Sequence, residues 1–363
     1  MIDRIIWREI DWVLLGIVGA LSFIGISMIW SSTRLLMENY AFRQLVWWFV
    51  SLIALFLLLY VDYHFLAEYS SYFYGLLLVV LAGLIFWGEK IAGTRSWIRF
   101  SFFQIQPSEI MKLALILVLA RYFANYRREK ISTVDFIAVS GLAALPIGLI
   151  AGQPDLGTAL GLLPIYLGAV FLAGINRKLV VVLLLGGLII GFLGWNFFLL
   201  DYQKERLLTV AFPERDPLGS GYQIQQSKIA IGSGGFSGKG FGQGSQSQLR
   251  FLPARHTDFI FSVVGEEFGF IGLVVVLGLY AFLLIRIFQS GLKAKDRMGV
   301  YIAFLVGIVF AFQFFINILM TVGLAPVTGI PLPLVSYGGS SLLTHYLLLS
   351  LVINVRMRRF TYI

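Results

Sequence analysis

Apolar residues in this chain form long, almost unbroken runs rather than the alternating patterns of half-buried helices or strands. Runs of the length that a bilayer requires recur along the whole sequence. We predict ten transmembrane helices, at residues 12–30, 45–61, 72–87, 110–123, 134–152, 156–173, 179–199, 259–288, 300–322 and 341–355. The third, fourth and sixth runs are short, so their ends are the least defined. The pattern predicts an all-α polytopic membrane protein, with residues 1–363 in a single integral membrane domain.

Composition agrees with this prediction and excludes several classes of protein. Apolar residues make up 58% of the chain and charged residues only 13%, far from the balance of a soluble domain. Cys is absent, which excludes disulfides and thiolate metal sites. The three His residues, at 64, 256 and 345, are too few and too scattered for a His-rich metal centre.

The distribution of positive charge predicts the orientation. Ten helices place both termini on one side, and more than half of the 28 Lys and Arg then lie in short segments on that side. The positive-inside rule makes this side the cytoplasm. The segment 62–71 carries no Lys or Arg and gives no support. We attribute the net charge of +9 to topology and anionic lipids, and we expect no nucleic-acid partner, because no cluster interleaves basic and aromatic residues.

One segment is long enough to do more than connect helices, namely the loop 201–257 between the seventh and eighth helices, which the topology places outside the cell. Its richness in Gly, Ser and Gln is typical of a flexible linker. Two features favour a loop that covers a substrate instead. Residues 222–231 have the pattern of an amphipathic helix that could lie at the membrane interface. The glycines that follow, around Lys239, could turn backbone N–H groups toward an anion.

The most informative segment is 252–272, where Arg255, His256 and Asp258 lie at the point where this loop enters an apolar helix. An acid at a membrane boundary is costly and is therefore a candidate site residue. The structural alternative makes Thr257 the N-cap of the helix and Asp258 an acid of its first turn. Spacing alone leaves the two interpretations equally weighted.

Other polar residues in or near the helices have a structural and a functional interpretation. Glu109 and Lys112 share a helical face just after Pro107, so they form either a self-satisfied ion pair or a cation site for a phosphate. Asp155 is most simply explained as a cap at a helix start. Gln313 and Asn317, four residues apart, are typical of contacts between helices. The adjacent acids Glu266 and Glu267 require cations, water or a protein-lined cavity.

Between the ninth and tenth helices, residues 323–341 contain three prolines and four glycines, which break any helix. Such backbone is tolerated at membrane depth only inside protein or beside a water-filled cavity. We therefore predict a re-entrant or tightly folded loop beside the site. A plain turn is the alternative, and the length and apolar content of the segment argue against it.

Taken together, these motifs resemble the SEDS family (shape, elongation, division and sporulation) over the whole length of the chain. Six motifs carry the resemblance in order, at residues 93–98, 106–112, 153–158, 255–261, 265–267 and 323–341. Each is weak alone, and the set is specific. Ser108 and Ser262 favour the elongation branch of the family, which maintains cell shape, over its division branch.

The resemblance implies a peptidoglycan glycosyltransferase that polymerises lipid II into β-1,4 glycan strands and releases undecaprenyl pyrophosphate. It also implies a class B penicillin-binding protein, which is a transpeptidase, as the partner. The essential aspartate of the family falls on Asp258, which we expect to act as general base. A divalent cation, Mg²⁺ or Mn²⁺, held by Asp258 or by the pyrophosphate could assist, although no metal-binding motif is present. The candidate substrate-binding residues are Arg95, Lys112 and Arg255 as phosphate ligands, together with Glu109, Lys239 and Ser336.

Two other classes of function remain open from the sequence. A lipid II flippase would use the same charges to move a head group across the bilayer, and it would need a polar path to the cytoplasmic side. A non-catalytic scaffold for a penicillin-binding protein would leave the outer acids without a role. The predicted charges cluster at the outer end of the helices, which favours an enzyme.

Overall fold

The computed structural model describes residues 9–90, 93–99, 103–126 and 129–360. Within these ranges the chain forms ten long helices, one for each predicted span, and three shorter helices in the loop before the eighth span. In chain order the helices are α1 Trp12–Thr33, α2 Tyr40–Tyr60, α3 Tyr63–Trp87, α4 Pro107–Ala124, α5 Thr133–Ala151, α6 Leu156–Leu172, α7 Arg177–Leu193, α8 Asp201–Ala211, α9 Ser220–Ser233, α10 Ser245–Gln248, α11 Ile260–Leu292, α12 Arg297–Thr321 and α13 Gly339–Met357.

The prediction of an all-α multi-pass membrane protein is confirmed. Eight of the long helices are long and apolar enough to cross a bilayer. The other two differ for identifiable reasons. Helix α4 contains Glu109, Lys112 and Arg121, and α6 has 17 residues. Helix α7 also has 17 residues, but the π-helical turn Gly194–Phe198 extends its span to 22 residues. The described strands are limited to β1 Ile98–Arg99 and β2 Gln104–Ile105, a short antiparallel hairpin that precedes α4.

The predicted start of the third span, at residue 72, is wrong by nine residues. Helix α3 begins at Tyr63, after the N-cap Asp62, whose carboxylate accepts from the backbone N–H of His64 at 2.9 Å. Residues 63–71 mix aromatic and polar side chains, which lowers their hydropathy. They are nevertheless helical because Tyr63, Ala67 and Ser70 form one buried face with helical spacing. The connection between α2 and α3 is therefore a tight turn.

Contacts between the ends of the chain define one end of the helical bundle. Asp11, the N-cap of α1, is buried and accepts hydrogen bonds from the guanidinium groups of Arg286 and Arg356. Arg359 pairs with Glu9 at 2.8 Å. The described terminal residues therefore lie together, at what we call the terminal end of the bundle.

Burial differs strongly among the long helices. Helices α4, α12 and α13 are buried over most of their length and form the centre of the bundle. Helix α7 is the opposite case, since Leu179 is its one buried residue. Such an all-round apolar helix is stable only in lipid or against a further protein surface.

The loop 201–257 is folded rather than a flexible linker. Helix α9 contains the predicted amphipathic stretch, and it packs on the described bundle through Ile224, Ser227 and Ala230. Ser227 Oγ lies 2.7 Å from Ser262 Oγ and donates to the carbonyl of Thr321 at 2.6 Å. This helix thus contacts both α11 and the end of α12.

The glycine-rich segment 234–240 forms hydrogen bonds with peptide groups of α11 at a break in that helix. Gly269 has φ 62° and ψ −155°, which interrupts the helical hydrogen bonds around it. The N–H groups of Lys239 and Gly240 donate to the carbonyls of Glu266 and Glu267, both at 3.0 Å. In return, Phe270 and Ile271 donate to the carbonyls of residues 235 and 236 at 2.9 and 3.2 Å. The prediction that these glycines present N–H groups to an anion is wrong for these two N–H groups, because the broken helix already uses them.

The segment between α12 and α13 is a re-entrant loop, as predicted. A methyl group at Gly25, in the middle of α1, would lie 2.5 Å from the carbonyl oxygen of Val335, so the loop reaches deep into the bundle. Tyr280, far along α11, donates to the carbonyl of Pro333. Val327, Ile330, Leu332, Leu334 and Val335 of this loop are buried. The non-helical backbone is therefore enclosed by protein.

Candidate active site

Residues 254–259 form the turn that leads from the loop into α11, and neighbouring elements hold its backbone. Tyr337 N–H donates to the carbonyl of His256 at 2.9 Å. Ser336 Oγ donates to the carbonyl of Thr257 at 2.6 Å, and Asn317 Nδ2 to that of Asp258 at 3.0 Å. Three consecutive carbonyls are thus satisfied by α12 and the re-entrant loop. The turn is held in one position before the helix starts.

Asp258 lies in this turn and not in the first turn of α11. The helix begins at Ile260, and its N-cap position is Phe259, which makes no side-chain cap. Thr257 Oγ1 donates instead to the carbonyl of Ala254 at 3.2 Å. The alternative in which Thr257 caps the helix and Asp258 serves its dipole is therefore wrong.

The carboxylate of Asp258 faces space left by a glycine. A methyl group at Gly329 would lie 4.0 Å from Asp258 Oδ2. Burial raises the pKa of Asp258 to about 6, although Arg206 and a hydrogen bond with Thr257 oppose this shift. Within the described ranges no Lys, Arg or His nitrogen lies within 4.0 Å of this carboxylate. Asp258 is therefore a partly exposed acid whose proton affinity is suited to exchange near neutral pH.

Arg206 is the cation that acts electrostatically on Asp258, and sequence reasoning missed it. It belongs to α8, and its guanidinium donates to the carbonyl of Val327 at 3.3 Å and lies 5.7 Å from the ring centre of Tyr202. Helix α8 thereby contacts the re-entrant loop beside Gly329. The one available signal was a short charged helix inside the long loop, and spacing along the chain gives no link between residues 206 and 258.

Glu109 and Lys112 form the predicted ion pair, at 2.6 Å, in the centre of the bundle. Pro107 is the first residue of α4, as predicted, and Lys112 is only 1% exposed. His345 of α13 joins the electrostatic neighbourhood of this pair, and its Nε2 lies 2.5 Å from Gln313 Oε1. A buried Lys needs such a partner because an unpaired charge here would cost several kcal/mol. The pair satisfies the charge of Lys112, whereas the second carboxylate oxygen of Glu109 is buried without a hydrogen-bond partner.

Gln313 confirms the prediction of a polar contact between helices, whereas Asn317 contacts a turn and the re-entrant loop. Gln313 binds His345, and one turn later Asn317 binds the carbonyls of Asp258 and Ile330. Helix α12 thus connects the buried pair of α4 with the turn that carries Asp258. The four-residue spacing places the two amides about 6 Å apart along the helix.

The other predicted substrate ligands bind protein groups. Arg255 Nε donates to the carbonyl of Ser32 at 2.7 Å, and Arg95 donates to the carbonyl of Ile85 at 2.9 Å. Lys239 pairs with Glu266 at 2.9 Å. Ser336 holds the carbonyl of Thr257, as described above. Three of these residues bind backbone carbonyls and Lys239 binds a carboxylate, and a role toward substrate remains a prediction for all four.

The adjacent acids of α11 have separate partners. Glu266 accepts from Lys239 and from the N–H groups of Gln246 and Ser247 at 2.7 and 3.1 Å, so it caps α10. Glu267 accepts from the hydroxyl of Ser31 at the end of α1. Both acids therefore bind the loop and α1 to the outer part of α11.

Asp155 has the expected structural role. It is the N-cap of α6 and accepts from the N–H of Thr158 at 3.2 Å. Gln106, just before α4, donates to the same carboxylate at 2.7 Å. The acid thereby joins the starts of two helices.

A resident metal ion fits this arrangement poorly. Among the described residues, no group of three or more His, Asp or Glu side chains could hold a metal ion. Asp258 offers a single carboxylate, whereas Mg²⁺ requires an octahedral set of oxygen ligands. A divalent cation would need most of its ligands from water or a phosphorylated substrate.

Comparison with known proteins identifies the family of the chain. Residues 7–360 match the family of FtsW, RodA and SpoVE, described as cell cycle proteins. This match covers nearly the whole chain. The chain therefore belongs to the SEDS family.

The relatives have both elongation and division names. The peptidoglycan glycosyltransferase MrdB of Escherichia coli K12 is 39% identical over 293 residues, covering 80% of this chain and 78% of its own. The probable peptidoglycan glycosyltransferase FtsW of Trichlorobacter lovleyi is 35% identical over 358 residues, which cover 96% of this chain and 93% of that relative. The peptidoglycan glycosyltransferase RodA of Treponema pallidum is 34% identical, and the match covers 97% of this chain and 98% of that relative.

Solved structures support the same fold. A chain of a peptidoglycan synthase complex, studied for the structural coordination of polymerization and crosslinking, is 34% identical, with 97% of this chain and 99% of that chain covered and a TM-score of 0.83. The crystal structure of the rod shape determining protein RodA of Thermus thermophilus is 31% identical, with 98% and 99% covered and a TM-score of 0.74. The helical arrangement described above is thus that of known membrane proteins.

Proposed function

We propose that this protein is a peptidoglycan glycosyltransferase that polymerises lipid II into β-1,4 glycan strands, for cell elongation and shape maintenance. The names of its relatives support the activity. The observation that carries the proposal is Asp258, a partly exposed acid with a raised pKa and no ion pair among the described residues. A carboxylate kept in this state is available to accept a proton.

In the proposed reaction, the 4-hydroxyl of the acceptor sugar attacks the anomeric carbon of the donor. Asp258 accepts the hydroxyl proton, a new glycosidic bond forms, and the bond to undecaprenyl pyrophosphate breaks. One carboxylate is sufficient for this direct, inverting displacement, because the leaving group already carries stabilised negative charge. Arg206, beside Asp258, is placed to stabilise that charge as it develops.

We place the protein in the bacterial cytoplasmic membrane, with both termini in the cytoplasm and Asp258 on the extracytoplasmic side. Several basic residues support this orientation, because Arg286, Arg356, Arg358 and Arg359 lie at the terminal end of the bundle. The structural neighbour from a peptidoglycan synthase complex supports a class B penicillin-binding protein as partner. A divalent cation that took part would be carried by the pyrophosphate of the substrate.

Reconstitution tests the function directly. Purified protein and its penicillin-binding partner are incubated with labelled lipid II in vesicles, and glycan products are separated by length. Polymer from the wild type and none from Asp258→Asn, with the variant folded and bound to its partner, is the expected result. A flippase would move lipid II across the vesicle membrane without making polymer, and a scaffold would do neither. Undiminished polymer from Asp258→Ala would remove Asp258 from the mechanism.

A further inference from the structure

A cluster of three rings lies beside the turn that carries Asp258, and His256 of that turn belongs to it. We call Tyr40, His256 and Tyr337 the aromatic cluster. The ring centres of Tyr40 and His256 are 4.7 Å apart, those of Tyr40 and Tyr337 are 5.1 Å apart, and those of His256 and Tyr337 are 5.6 Å apart. All three side chains are partly exposed. The cluster therefore presents ring surface that neighbouring protein does not fully cover.

Two charged side chains border the aromatic cluster. Glu38 acts electrostatically on the hydroxyl of Tyr40, and Arg43 acts on that of Tyr337. Glu38 and Arg43 are themselves 3.6 Å apart and more than half exposed, so they lie in water. An ion pair in water retains free donors and acceptors for a further ligand.

The aromatic cluster is electrically neutral at physiological pH. Burial, with Arg255 nearby, lowers the pKa of His256 to about 4, so its ring carries no charge. Glu38 and Arg43 cancel each other. The surroundings of the Asp258 carboxylate differ, because the charge of Arg206 acts on it. A phosphate would be favoured near Arg206, and an uncharged ligand would be favoured at the rings.

The cluster also differs from an ordinary interfacial belt of aromatic residues. Belt residues turn their rings toward lipid head groups. Here the three rings contact one another, and one of them belongs to the turn that carries Asp258. The N–H of Tyr337 donates to the carbonyl of His256 at 2.9 Å, so the position of the rings relative to the turn is fixed.

We propose that the aromatic cluster is a binding site for an uncharged N-acetylhexosamine of the glycan strand. The axial C–H groups of a β-linked pyranose form an apolar face that packs on aromatic rings, while its hydroxyls reach polar groups at the edge. Glu38 and Arg43 provide such groups. This inference rests on the proposed function, because it assigns the sugar to the polymer that the enzyme makes.

A binding experiment with a lipid-free probe separates the two proposals. A short, uncross-linked β-1,4 glycan oligomer is added to the protein in nanodiscs, and saturation-transfer NMR reports which sugar protons lie against it. We expect transfer to the wild type and a roughly twofold to tenfold weaker affinity for Tyr40→Leu and Tyr337→Leu, which remove a ring and keep apolar bulk. Tyr72→Leu is the matched control, since Tyr72 is an exposed tyrosine on α3.

The polymerisation assay provides the second readout. Loss of a strand-binding site should shorten the glycan products by a similar factor, while the initial rate of lipid II use stays within about twofold of the wild type. Oligomer binding and product length that match the wild type in both Leu variants would overturn the inference. Polymerisation by a wild type that does not bind the oligomer would also overturn it and leave the proposed function intact. A wild type that binds the oligomer but makes no polymer would instead count against the proposed function.

Discussion

The acids at the two ends of the bundle are held in opposite ways. At the terminal end, Asp11 is buried between Arg286 and Arg356 and also caps α1. At the other end, Asp258 has Arg206 in its neighbourhood but no ion pair within 4.0 Å among the described residues. An acid that is paired with two cations stabilises the fold and is not available for chemistry. An acid whose backbone is fixed and whose carboxylate is unpaired remains available for chemistry.

A substitution at Asp258 should produce the largest effect on activity. We expect Asp258→Asn to reduce polymerisation of lipid II by a factor of about 10² to 10⁴, the usual contribution of a general base. Initial rates with labelled lipid II measure this. Asp155→Asn is the matched control, because Asn also caps helices well, and its rate should stay close to that of the wild type.

The stability of the same variant distinguishes catalysis from misfolding. The pKa of Asp258 is raised from 3.8 to about 6 in the folded protein, so its proton-linked stabilisation is present below pH 3.8 and is lost as the pH rises through 6. We therefore expect Asp258→Asn to be at least as stable as the wild type at pH 7 to 8. Thermal unfolding over this pH range measures it. A clearly destabilised variant would indicate a structural role instead.

At the terminal end, the predicted effect is on stability. Asp11→Ala leaves two partly buried guanidinium groups without their acid and removes a helix cap, so we expect a loss of about 2–4 kcal/mol in the free energy of unfolding. Unfolding of the purified protein in denaturant measures the loss. Glu9→Ala breaks the less buried pair with Arg359 and should cost less, about 1 kcal/mol or below. Equal losses in the two variants would contradict the importance of burial at Asp11.

Arg206 should affect the pH dependence of the reaction rate through its charge. Its positive charge lowers the pKa of Asp258, so Arg206→Ala should move the acid limb of the pH–rate profile to higher pH. The limb in the wild type should lie near pH 6, with activity rising as Asp258 loses its proton. We also expect a loss of about tenfold in rate from weaker stabilisation of the leaving pyrophosphate. Arg206→Lys should restore part of both effects, and an unmoved limb would separate Arg206 from Asp258.

The smallest predicted effect concerns Glu266, an acid at the same end as Asp258 but with several partners. Glu266→Gln keeps an acceptor for the N–H groups of α10 and loses the ion pair with Lys239, so we expect a cost of about 1 kcal/mol. Hydrogen exchange should become faster at residues 239–247. Activity should fall less than for Asp258→Asn, and a loss as large would place Glu266 among the groups required for the reaction.

Sequence reasoning predicted those features that depend on local pattern. Hydropathy located all ten long helices, and the Pro/Gly content of residues 323–341 predicted the re-entrant loop. The start of α3 was missed because Tyr63, Ala67 and Ser70 form a buried face of low hydropathy. The glycines at 234–240 were misinterpreted because the same exposed N–H groups suit an anion or the carbonyls of a broken helix. Arg206 could not be paired with Asp258 because that proximity depends on how α8 folds against the re-entrant loop.

The hydrogen bonds that segment 234–240 makes with α11 around Gly269 have a consequence for biosynthesis. Segment 234–240, which forms hydrogen bonds with α11 at this break, precedes α11 in the chain, so it leaves the ribosome first. In the orientation proposed above, it must cross the bilayer before α11 can complete its hydrogen bonds at Glu266 and Glu267. A nascent chain whose loop is held back would therefore keep unpaired peptide groups at membrane depth.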